Sequence, residues 1–264
     1  MTDLTQIISG TYGEGENGQK GRERVAIQIN DVLEQMVSAA NTKYIDQYLF
    51  GGSNTSAVPY QVQRTDGEIT AVTYRGSREN RSMEVAPGVA SSVSFVGENM
   101  FGLDERGIPE FYGTTGAAAG TGTSNIKGET WLTVTHDGSN YRLSIDDGAT
   151  ETVVPAAGDL SNIAVTNAAG GVLYVDATHI TDTGTEKVKV PGTEDVFSVL
   201  INLRDLLRNQ RDLTNDDLLN LVDEAAASLE DTKNVLLEKE ASIGTKINFL
   251  DSLRESLENI EFNQ

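Results

Sequence analysis

Two histidines are the only imidazoles in the 264 residues, and one of them, His136, stands beside Asp137. A histidine next to a carboxylate is what a general base or a metal site would use. Here Gly138 follows, between two alternating apolar runs, and this places the pair on an exposed hairpin turn. His179 lies in a threonine-rich stretch with no partner at metal-ligand spacing. Asp146-Asp147-Gly148 could open a calcium loop, but the alternating oxygen ligands and the closing Glu are missing. Asp104-Glu105 reads as a solvated loop and Asp216-Asp217 as a helix start. Gly13–Gly15 and Gly120–Gly122 are not placed between a strand and a helix, so neither cradles a phosphate. Serines are plentiful, yet no G-x-S-x-G elbow occurs. Cysteine is absent, which excludes disulfides, thiolate catalysis, iron–sulfur clusters and cysteine zinc sites. Asn54-Thr55-Ser56 and Asn80-Arg81-Ser82 match a glycosylation sequon short enough to arise by chance. The chain is thus read as having no catalytic residues, no cofactor and no metal.

Composition narrows the partners. Forty acidic against twenty basic residues give a net charge of −20, which repels nucleic-acid phosphates and anionic lipid alike. The acidity runs along the whole chain, so it reads as solubility and not as a docking tail. No run approaches 18 consecutive apolar residues, and MTDLTQIISG lacks the basic and apolar regions of a secretory signal.

The elements that would position any site follow from glycine and proline. All five prolines lie between Pro59 and Pro191, and 18 of the 26 glycines lie between Pro59 and Gly192. The two ends are therefore free to form long helices, while the centre is cut into short elements. Near the C-terminus Val222, Leu229, Leu236, Ile243, Leu250 and Leu257 stand seven apart, a seam for coiled-coil packing. The interleaved positions weaken at Thr232, Lys239 and Lys246, while Ile247 and Phe249 widen the stripe. The spacing predicts one helix over about Asp216–Phe262, N-capped by Thr214, preceded by a shorter helix over Val196–Asn209. Toward the N-terminus Val25, Ile29, Val32, Leu33, Met36, Ala39, Ala40 and Tyr44 predict a helix from Arg22 to Tyr48, stopped near Gly51-Gly52. The five glycines of Gly10–Gly21 read as a loop, and Leu4, Ile7 and Ile8 as the end of an earlier helix.

The centre alternates. Tyr60–Arg64 and Ile69–Tyr74 flank an Asp66-Gly67 turn, and Trp131–Thr135 and Tyr141–Ile145 flank His136-Asp137-Gly138. Further strands are expected at Met83–Val85, Ser92–Val96, Val172–Val175 and Lys187–Val190, with Thr114–Asn125 a flexible loop. The fold class read from these elements is α+β: an antiparallel helical rod, 1–58 plus 195–264, with an inserted β-rich outer domain, 59–194. Residues 59–110 could pack on the rod. The seam can be buried within one chain, so it does not by itself predict a dimer.

Ala40-Asn41-Thr42-Lys43-Tyr44, then Tyr48-Leu49-Phe50-Gly51-Gly52 and Pro59-Tyr60, resemble a stretch characteristic of the hook–filament junction proteins of the bacterial flagellum, the flagellin-like hook-associated proteins. Glu240–Ser252, with Gly244, Asn248 and Leu250, resembles a C-terminal signature shared with flagellin. Tyr74-Arg75-Gly76, Val85 and Gly88 look like the strand pattern that follows in the family. The resemblance covers about residues 1–110 and 195–264.

The resemblance implies a flagellin-like rod in a tube wall with a β domain facing outward, in an extracellular flagellum. It implies a structural adaptor between the first hook-associated junction protein and flagellin, not an enzyme. It also implies export by the flagellar apparatus with a cytoplasmic chaperone, and self-association in a ring when full length. The family's terminal helices are missing from this chain, so it is expected to be a core fragment and a monomer. Gly244 is expected to mark either close packing or simple tolerance of a helical glycine. Two other readings stay open. One is flagellin itself. The other is a binding module for a glycan or a host surface, with Trp131, Tyr141 and Tyr174 as an aromatic platform, although these residues equally suit a β core.

Overall fold

The computed structural model describes residues 15–86, 88–92, 94–103 and 105–262. The chain divides into two compact units, Met1–Gly102 with Leu203–Gln264, and Leu103–Asn202.

The first unit contains helix α1 (Gly15–Ala40) and the short strands β1 (Lys43–Tyr44) and β2 (Gln47–Tyr48). It continues through β3 (Tyr60–Thr65), β4 (Glu68–Tyr74), β5 (Ser82–Ala86) and β6 (Val89–Ser92) to α2 (Gly97–Phe101). After the excursion into the second unit come the end of α3 (Val196–Leu207) and the 48-residue α4 (Asn215–Phe262). At 1.5 Å per residue, α4 is about 72 Å long. Val25, Ala26, Ile29, Leu33, Val37 and Ala40 form the buried face of α1. Their spacings of one, three and four give one stripe, which closes against apolar neighbours because α1 cannot be stable alone. Leu218, Leu221, Val222, Ala225 and Leu229 form the matching face of α4, and the long helices pack together.

The N-terminal helix differs from the expectation at both ends. It begins at Gly15, inside the glycine-rich stretch read as a loop, and it ends at Ala40 instead of Tyr48. Gly10–Glu14, like Leu4, Ile7 and Ile8, lies outside the described residues. The early stop has a local cause. Ile45 and Asp46 take φ of 46° and 62°, a two-residue turn that folds Lys43–Tyr44 back on Gln47–Tyr48. Tyr44, expected on the buried face, is 67% exposed. The helix from Thr214 is as expected. Thr214 Oγ1 accepts the Asp217 N–H at 3.2 Å, the N-cap bond expected, and donates to the Asp217 carboxylate at 2.7 Å.

The first expected hairpin is β3–β4, with Asp66 and Gly67 at positive φ in its turn. β5 and β6 pair next; β6 falls a few residues before the expected Ser92–Val96.

The second unit is a pair of sheets on one apolar core. Its strands are β7 (Glu110–Tyr112), β8 (Ala118–Ala119), β9 (Gly128–His136), β10 (Tyr141–Ser144), β11 (Thr152–Val153), β12 (Ile163–Thr166), β13 (Val172–Asp176) and β14 (Gly184–Val190). The five-stranded sheet runs β11-β10-β9-β14-β7 and the three-stranded one β12-β13-β8, all neighbours antiparallel. Leu132, Val134, Leu143 and Val188 meet Val165, Leu173 and Val175 across the core. β7, β8, β11 and β12 were not expected. Thr114–Asn125 is not the free loop anticipated. Gly120 N–H donates to the Tyr174 carbonyl at 2.9 Å, and Ser124 and Asn125 side chains accept from the backbone of β13. Small polar residues here serve as strand-edge partners.

Candidate assembly surface

Asp137, Asp146 and His136 are turn fittings. Asp137 accepts N–H bonds from Ser139 and Asn140, both at 2.9 Å, and pairs with Arg142; these hold its carboxyl down to about 2. Asp146 accepts from the Thr150 N–H at 2.8 Å, the Ala168 N–H at 3.0 Å and Ser144 Oγ, and also sits at about 2. Both are solvated hairpin caps. His136 Nδ1 accepts from Gly138 N–H, and its ring packs edge-on against Tyr141. His179 contacts Thr178 Oγ1 at 2.8 Å. Among the described residues no three His, Cys, Asp or Glu side chains converge as metal ligands, and no helix is long and apolar enough to cross a membrane.

The stretch Asn41–Tyr60 does come together, as a knot at the end of α1. Asn41 bonds the backbone of Tyr60 on both sides: its amide donates to the Tyr60 carbonyl at 2.9 Å and its oxygen accepts the Tyr60 N–H at 3.0 Å. A two-sided amide clamp needs Asn, because neither Asp nor Leu can both donate and accept. Leu49 to Gly52 then runs beside Phe95–Gly97: Phe95 N–H donates to Leu49, Gly52 N–H to Phe95 and Gly97 N–H to Phe50. A Cβ on Gly51 would stand 2.3 Å from the Asn54 carbonyl oxygen, and one on Gly52, at φ +62°, 2.1 Å from that of Ser77. The backbone approaches too closely for any side chain. Pro59 is buried.

Phe50, Tyr60, Tyr74, Phe95 and Phe101 fill the knot, with ring centroids 5.0–6.3 Å apart in tilted and edge-on pairs. Tyr74 Oη donates within reach of the Phe50 and Ser77 carbonyls at 3.1 and 2.9 Å, and burial pushes its hydroxyl pKa up. Lys43 lies 4.5 Å above the ring of its cross-strand partner Tyr48. Of the motif residues, Lys43 and Tyr44 are exposed, while Tyr48, Leu49 and Phe50 are half-buried.

Charged side chains fasten the β3–β4 hairpin to the helices of this unit. Arg204 is 2% exposed; its guanidinium reaches the Asn30 side chain at 3.0 Å, the Ile69 carbonyl at 2.7 Å and Asp205 at 2.8 Å. Arg208 forks onto Glu68, and Arg64 onto Glu34. The guanidinium in each case holds its carboxylate below the ordinary range. Sequence reasoning missed these arginines, and Phe95, Gly97 and Phe101 as well. Alternation around Arg64 and the apolar stripe of α3 do not signal a cross-chain fork.

Along α4 the seam splits in two. Val222 and Leu229 are buried, Leu236, Ile243 and Leu250 only half so, and the side chain of Leu257 lies outside the described ones. Two of the three weak positions are explained. Thr232 is buried with its hydroxyl on the Ser228 carbonyl at 2.8 Å, and Lys246 holds its ammonium 5.0 Å over the Phe95 ring. Ile247 and Phe249 flank the stripe and are 54% and 51% exposed. Asn248 is exposed. A Cβ on Gly244 would meet nothing within 4 Å, so no neighbour among the described residues of the chain requires a glycine there.

The three aromatic residues of the β-rich centre do not form a platform. In the alternation of β9, Trp131 stands on the face of the five-stranded sheet opposite to Leu132. Tyr174 stands on the outer face of the three-stranded sheet, over Gly122, and Tyr141 packs against the core.

The fold, long helices packed together with an antiparallel β unit, is shared with solved structures. No protein-family model and no curated protein sequence matches the chain. Solved structures do. FlgL of Xanthomonas campestris aligns in two crystal forms at 19% identity, with TM-scores of 0.58 and 0.60 over 96% and 99% of this chain and 84% and 86% of that one. A structure from Legionella pneumophila, described as flagellar hook associated protein-3, aligns at 16% identity and TM-score 0.57 over 97% of this chain and 82% of its own.

Proposed function

We propose that this chain is a non-catalytic structural subunit of a bacterial flagellum, the adaptor between the first hook-associated junction protein and the flagellin filament. The observation that supports it most is the likeness of nearly the whole chain, 96–99%, to junction proteins whose fold carries the same division into helices and β unit. The knot built from Asn41, Phe50, Gly51, Gly52 and Pro59 supports it independently, because those residues carry the sequence resemblance. In this reading the helices lie in the tube wall and the β unit faces outward. The half-open seam at Leu236, Ile243 and Leu250 receives neighbouring subunits, and the protein works outside the cell after flagellar export with its chaperone.

The test is deletion of the source gene with assay of the culture medium. Hooks without filaments, and flagellin shed as monomer, are expected. Absence of the filament protein from cells and medium would make this chain the flagellin instead. Normal filaments would overturn the flagellar reading.

A further inference from the structure

We propose that the loop between β4 and β5 is a docking surface for a second copy of this chain, with Arg75, Arg78 and Arg81 seated on the acidic ridge of the neighbour's α4. The proposal rests on the reading of the chain as an assembly subunit.

The loop is presented rigidly. Arg75 N–H donates to the Pro59 carbonyl at 2.6 Å, Ser77 N–H to Gly51 at 2.9 Å and Arg81 N–H to Ser94 Oγ at 3.1 Å. Ser53 and Ser77 hydroxyls meet at 2.7 Å, and Ser53 N–H donates to the Glu79 carbonyl at 2.8 Å. All three arginines are exposed. Arg78 pairs with Glu98, but among the described residues neither Arg75 nor Arg81 has an acidic partner. Arg64, Arg142, Arg204 and Arg208, by contrast, are each held by a carboxylate of their own unit.

The complement lies on α4. That helix carries twelve acidic and four basic residues. Its acids recur as pairs seven apart: Asp216-Asp217, Asp223-Glu224 and Glu230-Asp231, with Glu238 one step further. Seven residues are about two turns, so the pairs form one ridge about 32 Å long from Asp217 to Glu238. Asp216, Asp217, Asp223, Asp231 and Glu238 are exposed. The arginine loop adjoins a later part of the same helix, since Arg81 is tied to Ser94 and Lys246 lies over Phe95. A second copy shifted along the helix brings ridge and loop together. Two unlike patches make a head-to-tail contact, which propagates into a ring or a helical array and does not close as a dimer.

Charge sets a distinctive salt dependence. Two copies at −20 each repel over a Debye length of about 30 Å at 0.01 M salt, whereas at 0.15 M that range is about 8 Å and contact pairs survive. Association should therefore peak at intermediate salt.

The test replaces Arg75→Lys and Arg81→Lys, which keeps the charge and supplies amines. Labelled and unlabelled copies are mixed and treated with a carbodiimide, which joins amines to carboxylates. Isotope-mixed bonds from 75 and 81 to residues 216–238 are expected. They should fall at least tenfold in 1 M salt and when Asp216, Asp223 and Asp231 are changed to Lys. Bonds only within one chain, or to carboxylates elsewhere, overturn the proposal. In cells, Arg75→Glu with Arg81→Glu should shed filament protein, and lysines at 216, 223 and 231 should restore filaments; circular dichroism checks folding. If gene deletion abolishes filaments and this reversal does not, the docking surface alone is wrong. If deletion leaves filaments intact, the flagellar reading is wrong and the crosslinks judge the contact by themselves.

Discussion

The two units of the chain are held together by different means. The β unit is an aliphatic core: Leu132, Leu143, Val165, Leu173, Val175 and Val188 have no exposed surface, and any of them could be exchanged for a residue of like volume. The knot in the helical unit depends on backbone contacts closer than a Cβ allows and on five aromatic rings, and the hairpin beside it on the buried Arg204 guanidinium. The first scheme tolerates many sequences, and the second fixes residue types. Accordingly the sequence resemblance to junction proteins gathers in the helical unit, at residues 41–60 and 240–252, and not in residues 111–194. Gly51, Gly52 and Pro59 are buried and Asn41 clamps Tyr60, so this part of the motif describes how the knot folds.

The largest expected effect is at the knot. Gly52→Ala meets both a positive φ and a carbonyl at 2.1 Å, and should cost about 3 kcal/mol or more of the helical unit's stability. Leu173→Ala should cost about 2–5 kcal/mol in the β unit. Hydrogen exchange resolved by region would show each loss confined to its own unit. A neutral Gly52→Ala would mean that the knot is no more exacting than the β core.

Arg204→Met comes next. It strands the Ile69 carbonyl and the Asn30 side chain in a buried site, and about 2–3 kcal/mol should be lost on urea denaturation. Arg204→Lys keeps the charge but not the fork, and should recover less than half of that. Full recovery would mean that charge alone fastens the hairpin.

The β unit has one flaw in its apolar scheme. Glu186 is 2% exposed, pointing with Val188 and Val190 into the sheet's inner face; one oxygen accepts the Thr115 N–H at 3.3 Å and the other has no partner among the described residues. Burial pushes its carboxyl pKa up. A raised acid binds its proton more tightly when folded, so its contribution is favourable at low pH. It is lost as pH rises from the unfolded value of about 4.3 through the folded one. Glu186→Gln should therefore stabilise the unit by on the order of 1 kcal/mol at pH 7, with the gain vanishing below pH 4. A gain independent of pH would show that burial of charge is not the cause.

Period and punctuation made most of the fold legible. The seven-residue seam and the Thr214 cap located α4 within a residue, and Asp66-Gly67 and Asp137-Gly138 located two hairpins. The N-terminal helix ends at Ala40 although its apolar spacing continues to Tyr44. Only the positive φ at Ile45 and Asp46 ends the pattern, and Ile is a residue that rarely adopts it. Strands β8 and β11, two residues each, carry too little alternation to be seen. The knot's partners at Phe95 and Phe101 were invisible for another reason: a long-range contact leaves no periodic trace. The same holds for the arginine forks.

The smallest expected effect is at Gly244, the counterpart of the knot glycines. It sits mid-helix in α4, where an added Cβ would have nothing within 4 Å, unlike Gly51 and Gly52, which no side chain can replace. Ala at 244 should therefore raise helix stability by about 1 kcal/mol, through the lower backbone entropy of the unfolded chain. The same glycine lies in the half-open part of the seam, between Ile243 and Lys246. If a neighbouring subunit packs there, Gly244→Ala will stabilise the isolated chain in thermal melts and yet weaken filament attachment in cells. If melts and motility both improve or stay unchanged, the glycine is tolerated and the subunit contact lies elsewhere on the helix. A destabilised isolated chain would contradict the open space seen around it.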